Sequence, residues 1–404
     1  MAMVFSMTAV QVLAVDEETA MLADTDTEGT DAPVVQTVTL DLSQGSITIS
    51  ATGYTQGSGN ETKFTGAYTI EQSNKSYSNK TVSVTGGTHE ITMNNVDIDV
   101  SGISGACAFS IATGATVDLK LAGRVMLKSG SYAAGLLVPT GASVTISSDA
   151  ASGALKAKGG MFGAGIGGYN RNAASSGYSF AKGGNITILS GTVDALGGEN
   201  AAGIGGGTSG NGKVTITGGA VIEESIGGSS GAGATGGTGI GGGAGGHGTI
   251  VISGNAQVKN ALGKDGGAGI GGGYDGDGNV TISGNATIEN AEGGKFAAGI
   301  GGGYGGDSNV TISGNAKIDN VSGGKQAAGI GGGSFGDGTI TIKDNAAIGT
   351  VTGGSYGAGI GGGGGRNGDV TISGNAKIEN AQGGEAGAGI GGGYVGLGDV
   401  TIEG

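Results

Sequence analysis

The chain has 404 residues, 99 of them glycine, with two prolines and no tryptophan. The glycines follow no strict three-residue period, which excludes a collagen triple helix, and the apolar residues, 36% of the chain, fall in fixed columns, which excludes a disordered tract. A net charge of −14 without a basic stripe excludes nucleic acid as a partner, and the single cysteine excludes an internal disulfide.

The N-terminal region predicts export. Residues 1–14 are an apolar run that ends in small residues and lacks a basic start, which predicts a truncated signal peptide, with a buried strand as the alternative. Residues 15–34 carry seven acidic side chains and no basic ones, which predicts a disordered linker. Residues 35–80 are expected to form a β-rich lead-in or cap. No later run is long enough to span a membrane, so we expect a secreted or cell-surface protein.

A thirty-residue repeat dominates the rest of the chain. One copy reads SGNATIENAEGGKFAAGIGGGYGGDSNVTI, and the next thirty residues nearly repeat it. The isoleucine of each GIGGG motif marks the period, which is regular from about residue 240 and follows earlier steps of 30, 38 and 36 residues. Such a period predicts a solenoid over residues 81–404. The marker residues are Leu136, Ile166, Ile204, Ile240, Ile270, Ile300, Ile330, Ile360 and Ile390.

Each regular repeat contains three segments in which apolar residues alternate with polar or small ones, at 297–301, 309–313 and 316–320 in one copy. This period of two indicates strands with one buried face, and the glycine and asparagine clusters between them supply sharp turns. The sequence therefore predicts an all-β parallel β-helix, a solenoid with about 30 residues and three short strands per coil. Its three core columns are Ile270, Ile300, Ile330, Ile360 and Ile390; Ile282, Ile312, Ile342, Ile372 and Ile402; and Ile288, Ile318, Ile348 and Ile378.

Two asparagine columns are expected at two of the turns, where stacked side-chain amides can bond from coil to coil. The first comprises Asn255, Asn285, Asn315, Asn345 and Asn375, and the second comprises Asn260, Asn290, Asn320 and Asn380.

Surface columns near the third turn are candidates for ligand binding. Regularly spaced exposed aromatic rings offer flat faces for sugar rings, with turn packing as an equal alternative. Acidic residues beside them are either solvated turn residues, which the pattern favours, or a calcium site. An outward threonine column could recognise ice, but ordinary strand propensity explains it better. The aromatic residues are Tyr274, Tyr304, Phe335 and Tyr394, and the acidic residues are Asp277, Asp307 and Asp337.

Catalytic chemistry has little support in the sequence. His89 and His247 lie in different parts of the chain, and Cys107 stands in an apolar segment typical of a small core residue. The glycine motif recurs in every coil without a following helix, unlike a nucleotide-binding loop. A polysaccharide lyase needs a localised basic residue, whereas the lysines of the repeats are scattered over turns. We therefore predict that the protein is not an enzyme.

Several segments together resemble the carbohydrate-binding β-helix domains of large exported proteins from anaerobic Gram-positive bacteria. They are ITMNNVDIDVSG, GACAFSI, GATVDLKLAG, AAGLLVPTGASVTIS and the serial AGIGGG and VTISG units, from about residue 81 onward. The resemblance implies a right-handed parallel β-helix that binds plant or host polysaccharide, sometimes with calcium. It assigns no binding residues, because the sequence contains no unique ligand motif.

The sequence thus favours a non-catalytic polysaccharide-binding β-helix at or outside the cell surface. The second hypothesis is a structural adhesin or stalk without a ligand site of its own, and the third is a lyase-like enzyme. The last strand pattern ends without a polar cap, so we also expect the sequence to be part of a longer chain with further domains.

Overall fold

A computed structural model describes residues 36–74, 76–149, 152–171, 179–231 and 235–403. The predicted signal peptide and acidic linker lie outside these residues. Within them the chain is all-β apart from one 3₁₀ turn at Leu42–Gln44, and it winds into about twelve coils. Successive coils pair their strands in parallel to form three long sheets, named A, B and C below.

Sheet A has thirteen strands, which pair in parallel in chain order. Its register keeps equivalent repeat positions opposite each other, as in the pairing of Val280 with Val310 and of Val310 with Ile340. The strands are Thr37–Asp41, Ala67–Glu71, Thr88–Asn94, Thr116–Leu121, Ser143–Ser147, Asn185–Ile188, Gly212–Ile216, Gly248–Ile252, Gly278–Ile282, Ser308–Ile312, Gly338–Ile342, Gly368–Ser373 and Gly398–Glu403.

Sheet B has fourteen strands, most of them only two residues long. Its first three strands pair antiparallel, and the others pair in parallel. In spatial order they are Thr62–Lys63, Gly53–Gln56, Ile47–Ile49, Val82–Val84, Phe109–Ile111, Leu136–Leu137, Ile166–Gly167, Ile204–Gly205, Ile240–Gly241, Ile270–Gly271, Ile300–Gly301, Ile330–Gly331, Ile360–Gly361 and Ile390–Gly391.

Sheet C has ten parallel strands and closes each coil. A separate antiparallel hairpin, Tyr169–Arg171 with Ser179–Ala181, interrupts the solenoid after one sheet B strand. The sheet C strands are Val96–Asp99, Arg124–Lys128, Ala154–Lys158, Thr192–Leu196, Val221–Ile226, Gln257–Leu262, Thr287–Glu292, Lys317–Ser322, Ala347–Thr352 and Lys377–Gln382.

The predicted fold class is confirmed: a parallel β-solenoid with coils of roughly thirty residues and three strands. The isoleucine columns point inward, and their members are fully buried through Ile360 in sheet B, Ile342 in sheet A and Ile348 in sheet C. Each such burial contributes about 1.5–3 kcal/mol, and only because a coil lies on either side. No helix in the described ranges combines the length and apolar character of a membrane span.

The segment 35–80 joins the same sheets as the repeats. Thr37–Asp41 and Ala67–Glu71 belong to sheet A, and Ile47–Ile49 begins the parallel part of sheet B. Tyr68 is fully buried there, with Phe64 packed edge-on at 5.3 Å between ring centroids. The lead-in therefore shares the hydrophobic core of the following coils.

The strands of a coil differ from their predicted bounds for local reasons. In sheet B only Ile300–Gly301 is extended, because the amide of Ala298 already bonds the carbonyl of Gly302 within the same bend, at 3.0 Å. The sheet C strand runs over Lys317–Ser322, which is longer than predicted. The prediction that the second asparagine column lies at a turn is therefore wrong, since Asn320 lies inside this strand.

That second column occupies an irregularity in sheet C. Two successive residues, Lys259 and Asn260, are both partly exposed there before Ala261 turns inward. The Asn290 amide donates to the Asn260 side-chain oxygen at 3.1 Å and to the Lys259 carbonyl at 3.2 Å. The ladder therefore satisfies a backbone carbonyl that the irregular pairing leaves open.

The first asparagine column does lie at a turn, between sheets A and C. Its amides donate along the solenoid axis, from Asn285 to Asn255 and from Asn315 to Asn285, at 3.0 Å each. The next steps, from Asn345 and from Asn375, measure 3.2 Å. An unbroken row of neutral amide bonds thus links five coils.

Candidate functional site

The candidate surface is formed by two of the turns of each coil, which contact each other between neighbouring coils. The B–A turn, 302–307 in one coil, leads from sheet B to sheet A, and the C–B turn, 293–299, leads from sheet C to sheet B. The amide of Tyr304 donates to the carbonyl of Gly266 at 2.9 Å, and that of Tyr394 to Tyr356 at 2.8 Å. Each B–A turn is therefore bonded to the C–B turn one coil earlier.

The structure brings three of the four predicted aromatic residues into contact. Tyr274 and Tyr304 stack with ring centroids 5.1 Å apart and ring planes 9° apart. Phe335 meets Tyr304 edge-on, with centroids 5.9 Å apart. The stacking distance is close to the spacing of neighbouring strands, about 4.8 Å, so the coil repeat itself sets this aromatic row.

Phe335 reaches the surface through an unusual backbone conformation. Its φ of +63° lies in the left-handed region, as do those of Gly305 and Gly365 in the neighbouring coils and of Asp275 and Val395 at the same position two coils away. The preceding residue, Ser334, is buried and donates its hydroxyl to the Gln326 side chain at 2.9 Å. The Phe335 ring is left 48% exposed. The left-handed conformation is thus a property of the turn, and Phe335 adds an exposed aromatic ring to it.

Sequence reasoning missed two aromatic residues on the C–B turn. Phe296 packs edge-on against Tyr304 with centroids 5.8 Å apart, and Tyr356 packs against the fourth predicted residue, Tyr394, at 5.4 Å. Both lie four residues before the marker isoleucine, a shared register that could have revealed them. The six rings form one surface, called the aromatic edge: Tyr274, Phe296, Tyr304, Phe335, Tyr356 and Tyr394.

The aromatic edge contains a shallow cleft between its two contact groups. Gln326 and the glycines at 364 and 365 form the floor of a depression of about 310 Å³, and the rings of Phe335, Tyr356 and Tyr394 border it. An amide with three aromatic rings combines a polar partner with apolar faces. This combination matches a sugar ring, which has hydroxyls at its rim and C–H groups on its faces.

The acidic column ties successive B–A turns together. The backbone amide of Asp307 donates to the Asp277 carboxylate at 3.0 Å, and that of Asp337 donates to the Asp307 carboxylate at 2.8 Å. Asn367 continues the series, donating its amide to Asp337 at 2.8 Å. Charged acceptors make strong hydrogen bonds to backbone amides, so each carboxylate has a structural use.

The same column borders sheet A rather than the aromatic cleft. Asp277 and Asp307 line a groove of about 360 Å³ with His247, whose Nδ1 lies 3.2 Å from the Asp277 carboxylate. Across the part of the chain that the structure describes, no group of three or more histidine, cysteine or acidic side chains is arranged to hold a metal ion.

Two of the residues considered for catalysis, Cys107 and His89, contact main-chain carbonyls. The Cys107 thiol donates to the carbonyls of Phe109 and Ala134 at 3.2 Å, and burial raises its pKa to about 12, which suppresses the nucleophilic thiolate. His89 is buried, with Nε2 2.8 Å from the carbonyl of Gly86. His247, exposed in the groove beside sheet A, is remote in sequence from both.

No family model matches the chain, and neither a curated protein nor a solved structure was found to be similar to it.

Proposed function

We propose that the protein is a non-catalytic carbohydrate-binding solenoid that holds polysaccharide along its aromatic edge. The observation that carries this proposal is the row formed by the stacked Tyr274–Tyr304 pair and Phe335, in which the Phe335 side chain is 48% exposed. The left-handed conformation at Phe335 belongs to the turn, since Asp275 and Val395 adopt it at the same position, whereas the exposed aromatic ring is particular to Phe335.

The geometry of the repeat suits a polymer. Adjacent coils are about 4.8 Å apart, close to the length of one sugar residue, so a glycan chain could run parallel to the solenoid axis. Each ring contact is worth about 0.5–1.5 kcal/mol, so affinity for a single sugar would be weak. Several contacts made along one chain strengthen binding through a high effective concentration.

The proposal includes a setting and a partner class. The apolar N-terminal run and the resemblance to exported β-helix domains of anaerobic Gram-positive bacteria support a secreted or cell-surface protein. The expected partner is a plant or host polysaccharide. If calcium contributes to binding, the acidic column is the place where it would bind. Adding a chelator separates its effect from that of the aromatic rings.

A structural stalk is the second candidate, and a specific observation favours it. The isoleucine core, both asparagine ladders and the carboxylate ladder from Asp277 to Asn367 all serve to join one coil to the next. A stalk needs only these contacts. The aromatic edge is the feature that distinguishes the two candidates.

Affinity electrophoresis tests the proposal. The parent protein would be run through gels that contain xyloglucan, mixed-linkage β-glucan, galactomannan, polygalacturonate or mucin, each with and without chelator. We expect at least one polysaccharide to retard the parent, and the double variant Tyr274→Ala/Tyr304→Ala to lose about tenfold or more in affinity, the loss of two ring contacts. Tyr77, 64% exposed on a different part of the solenoid, provides the matched control Tyr77→Ala.

Two results would reject binding along the aromatic edge, and the first of them favours the stalk. One is the absence of retardation by any of the five polysaccharides. The other is equal retardation of the parent and the double variant, with thermal unfolding showing that both are folded.

A further inference from the structure

The hairpin that interrupts the solenoid builds a second cleft, on sheet B near its N-terminal end. The step from Ile166 to Ile204 is 38 residues instead of thirty, and the additional residues leave the B–A turn after Gly167 as the hairpin. In repeat proteins such insertions are often found on the binding face. This is the longest departure from the thirty-residue period among the marker isoleucines.

The returning arm of the hairpin is fixed to the coils on both sides. The amide of Gly184 donates to the carbonyl of Val138 at 2.8 Å, and the Thr140 hydroxyl donates to the carbonyl of Lys182 at 2.9 Å. On the other side, the amide of Gly183 donates to the carbonyl of Asn211 at 3.0 Å. These bonds anchor the arm to the coils before and after it.

The cleft lies between the start of the hairpin and the preceding coils, has a volume of about 540 Å³ and is open to solvent. Its floor is the outward row of sheet B, where Ser83, Ser110 and Leu137 carry side chains, while Gly167 and the later strands present glycine at the same position. Tyr169, at the start of the hairpin, borders the cleft. The volume suits about two sugar rings.

The lining is polar but uncharged. Hydroxyls of Ser83, Ser110, Thr113 and Thr140 are present, and none of the described residues that line the cleft is acidic or basic. Ser110 and Ser83 share one hydrogen bond, with their oxygens 3.0 Å apart. Since each hydroxyl can donate once and accept twice, the pair retains a donor and several lone pairs for a ligand.

We infer that this cleft is a separate binding site for a neutral sugar of about two rings. Leu137 and Tyr169 would contact the C–H faces of the sugar, and the Ser83–Ser110 pair would exchange hydrogen bonds with its hydroxyls. A uronate or a sulfated sugar would gain no ion pair from the described side chains that line the cleft, and the chain's net charge of −14 adds repulsion. The inference shares the ligand class of the proposed function but uses none of the residues of the aromatic edge.

The absence of tryptophan from the chain allows a site-specific test. Tyr169→Trp places the sole tryptophan at the cleft and keeps an aromatic ring there, whereas Tyr304→Trp places it on the aromatic edge. Each variant would be titrated with cellobiose, xylobiose, mannobiose, maltose and lactose, and with digalacturonate as the charged probe. Tryptophan fluorescence then reports occupancy of each site independently.

We expect a saturable fluorescence change for Tyr169→Trp with at least one neutral disaccharide and none with digalacturonate. Adding Ser110→Arg, which fills the floor with a long charged side chain, should weaken that binding by about tenfold or more. Saturation-transfer NMR with the parent and Tyr169→Ala checks the site without tryptophan, and circular dichroism verifies that each variant is folded.

The inference requires one neutral disaccharide that gives both a saturable fluorescence change and an NMR signal dependent on Tyr169, and it is overturned if none does. It is also overturned if digalacturonate binds more tightly than the neutral disaccharides, or if Ser110→Arg leaves their binding unchanged. Failure of the Tyr274→Ala/Tyr304→Ala test bears only on the aromatic edge. Failure here leaves that edge untouched, so the two outcomes are distinguishable.

Discussion

Ile330 and Thr341 lie in the same coil, Ile330 on the inward face of sheet B and Thr341 on the outward face of sheet A. Ile330 is fully buried between Ile300 and Ile360, whereas Thr341 alternates with buried Ile340 and Ile342 and is partly exposed. This contrast between neighbouring strands gives a direct test of which side chains hold the coils together.

We predict that Ile330→Asp lowers the free energy of unfolding by about 3–5 kcal/mol, because it buries a charge without a partner. Thr341→Asp should change it by less than about 1 kcal/mol, since water still reaches the outward face. Thermal unfolding followed by circular dichroism compares the two variants. Equal losses would show that the inward and outward faces have been assigned wrongly.

The ion pair between Lys128 and Asp99, in the N-terminal coils, should make the stability of the protein depend on pH. Lys128 Nζ lies 2.8 Å from the Asp99 carboxylate, which also accepts hydrogen bonds from the Ser101 amide and hydroxyl. Partial burial works against ionisation, but the bonds from Lys128 and Ser101 prevail and lower the pKa of Asp99 to about 2. The folded state therefore favours the ionised form more strongly than the unfolded state does.

The stabilisation by Asp99 is thus present above the unfolded pKa, about 3.9, and is lost as the pH falls toward 2. We predict that Asp99→Asn is less stable than the parent at pH 7 and that the difference disappears by about pH 2. Because both side chains of the pair are partly exposed to water, the difference at pH 7 should be modest. Melting temperatures of both proteins across this range measure it, and a difference independent of pH would refute the linkage.

At the scale of elements, the two-residue strands of sheet B depend on glycine. Gly301 has a φ of +136°, and a Cβ placed on it would lie 2.1 Å from the carbonyl oxygen of Gly331 in the next coil. The same close approach recurs at Gly271 and Gly331. The glycine that directly follows the isoleucine of each GIGGG motif thus lets neighbouring coils approach to hydrogen-bonding distance.

We predict that Gly301→Ala costs at least about 2 kcal/mol of unfolding free energy, from backbone strain and displacement of the next coil. Gly219→Ala is the matched control, because a Cβ at this exposed turn meets no atom within 4 Å. Chemical denaturation of both variants measures the costs. A Gly301→Ala variant as stable as Gly219→Ala would mean that the glycine positions of the sheet B strands tolerate side chains.

The sequence predicted the elements that repeat and missed those that depend on contact between turns. Period-two alternation located the inward isoleucines, because burial acts on every coil alike. The position of Asn320 inside a strand depends on an irregular pairing that alternation does not encode. Phe296 and Tyr356 stand sixty residues apart in sequence, and only the bonding of one turn to its neighbour places them beside Tyr304 and Tyr394.

At the scale of the whole molecule, each coil contacts mainly its neighbours, so stability is close to a sum of coil and interface terms. The same repetition places equivalent surface positions in rows. A ligand that is itself a repeating polymer can follow such a row, and its affinity should therefore rise with the number of coils it spans. The aromatic edge extends over five coils, from the one containing Tyr274 to the one containing Tyr394.

Hydroxyl-radical footprinting read by mass spectrometry tests this account most directly, because it measures the solvent exposure of individual aromatic side chains. The protein would be oxidised alone and with the polysaccharide that most retards it in the affinity gels. We predict that oxidation of Tyr274, Tyr304, Phe335 and Tyr394 falls when polysaccharide is bound, while that of Tyr77 stays unchanged. Unchanged oxidation of the aromatic edge in the bound protein, or protection confined to residues outside both this edge and the Tyr169 cleft, would contradict the account.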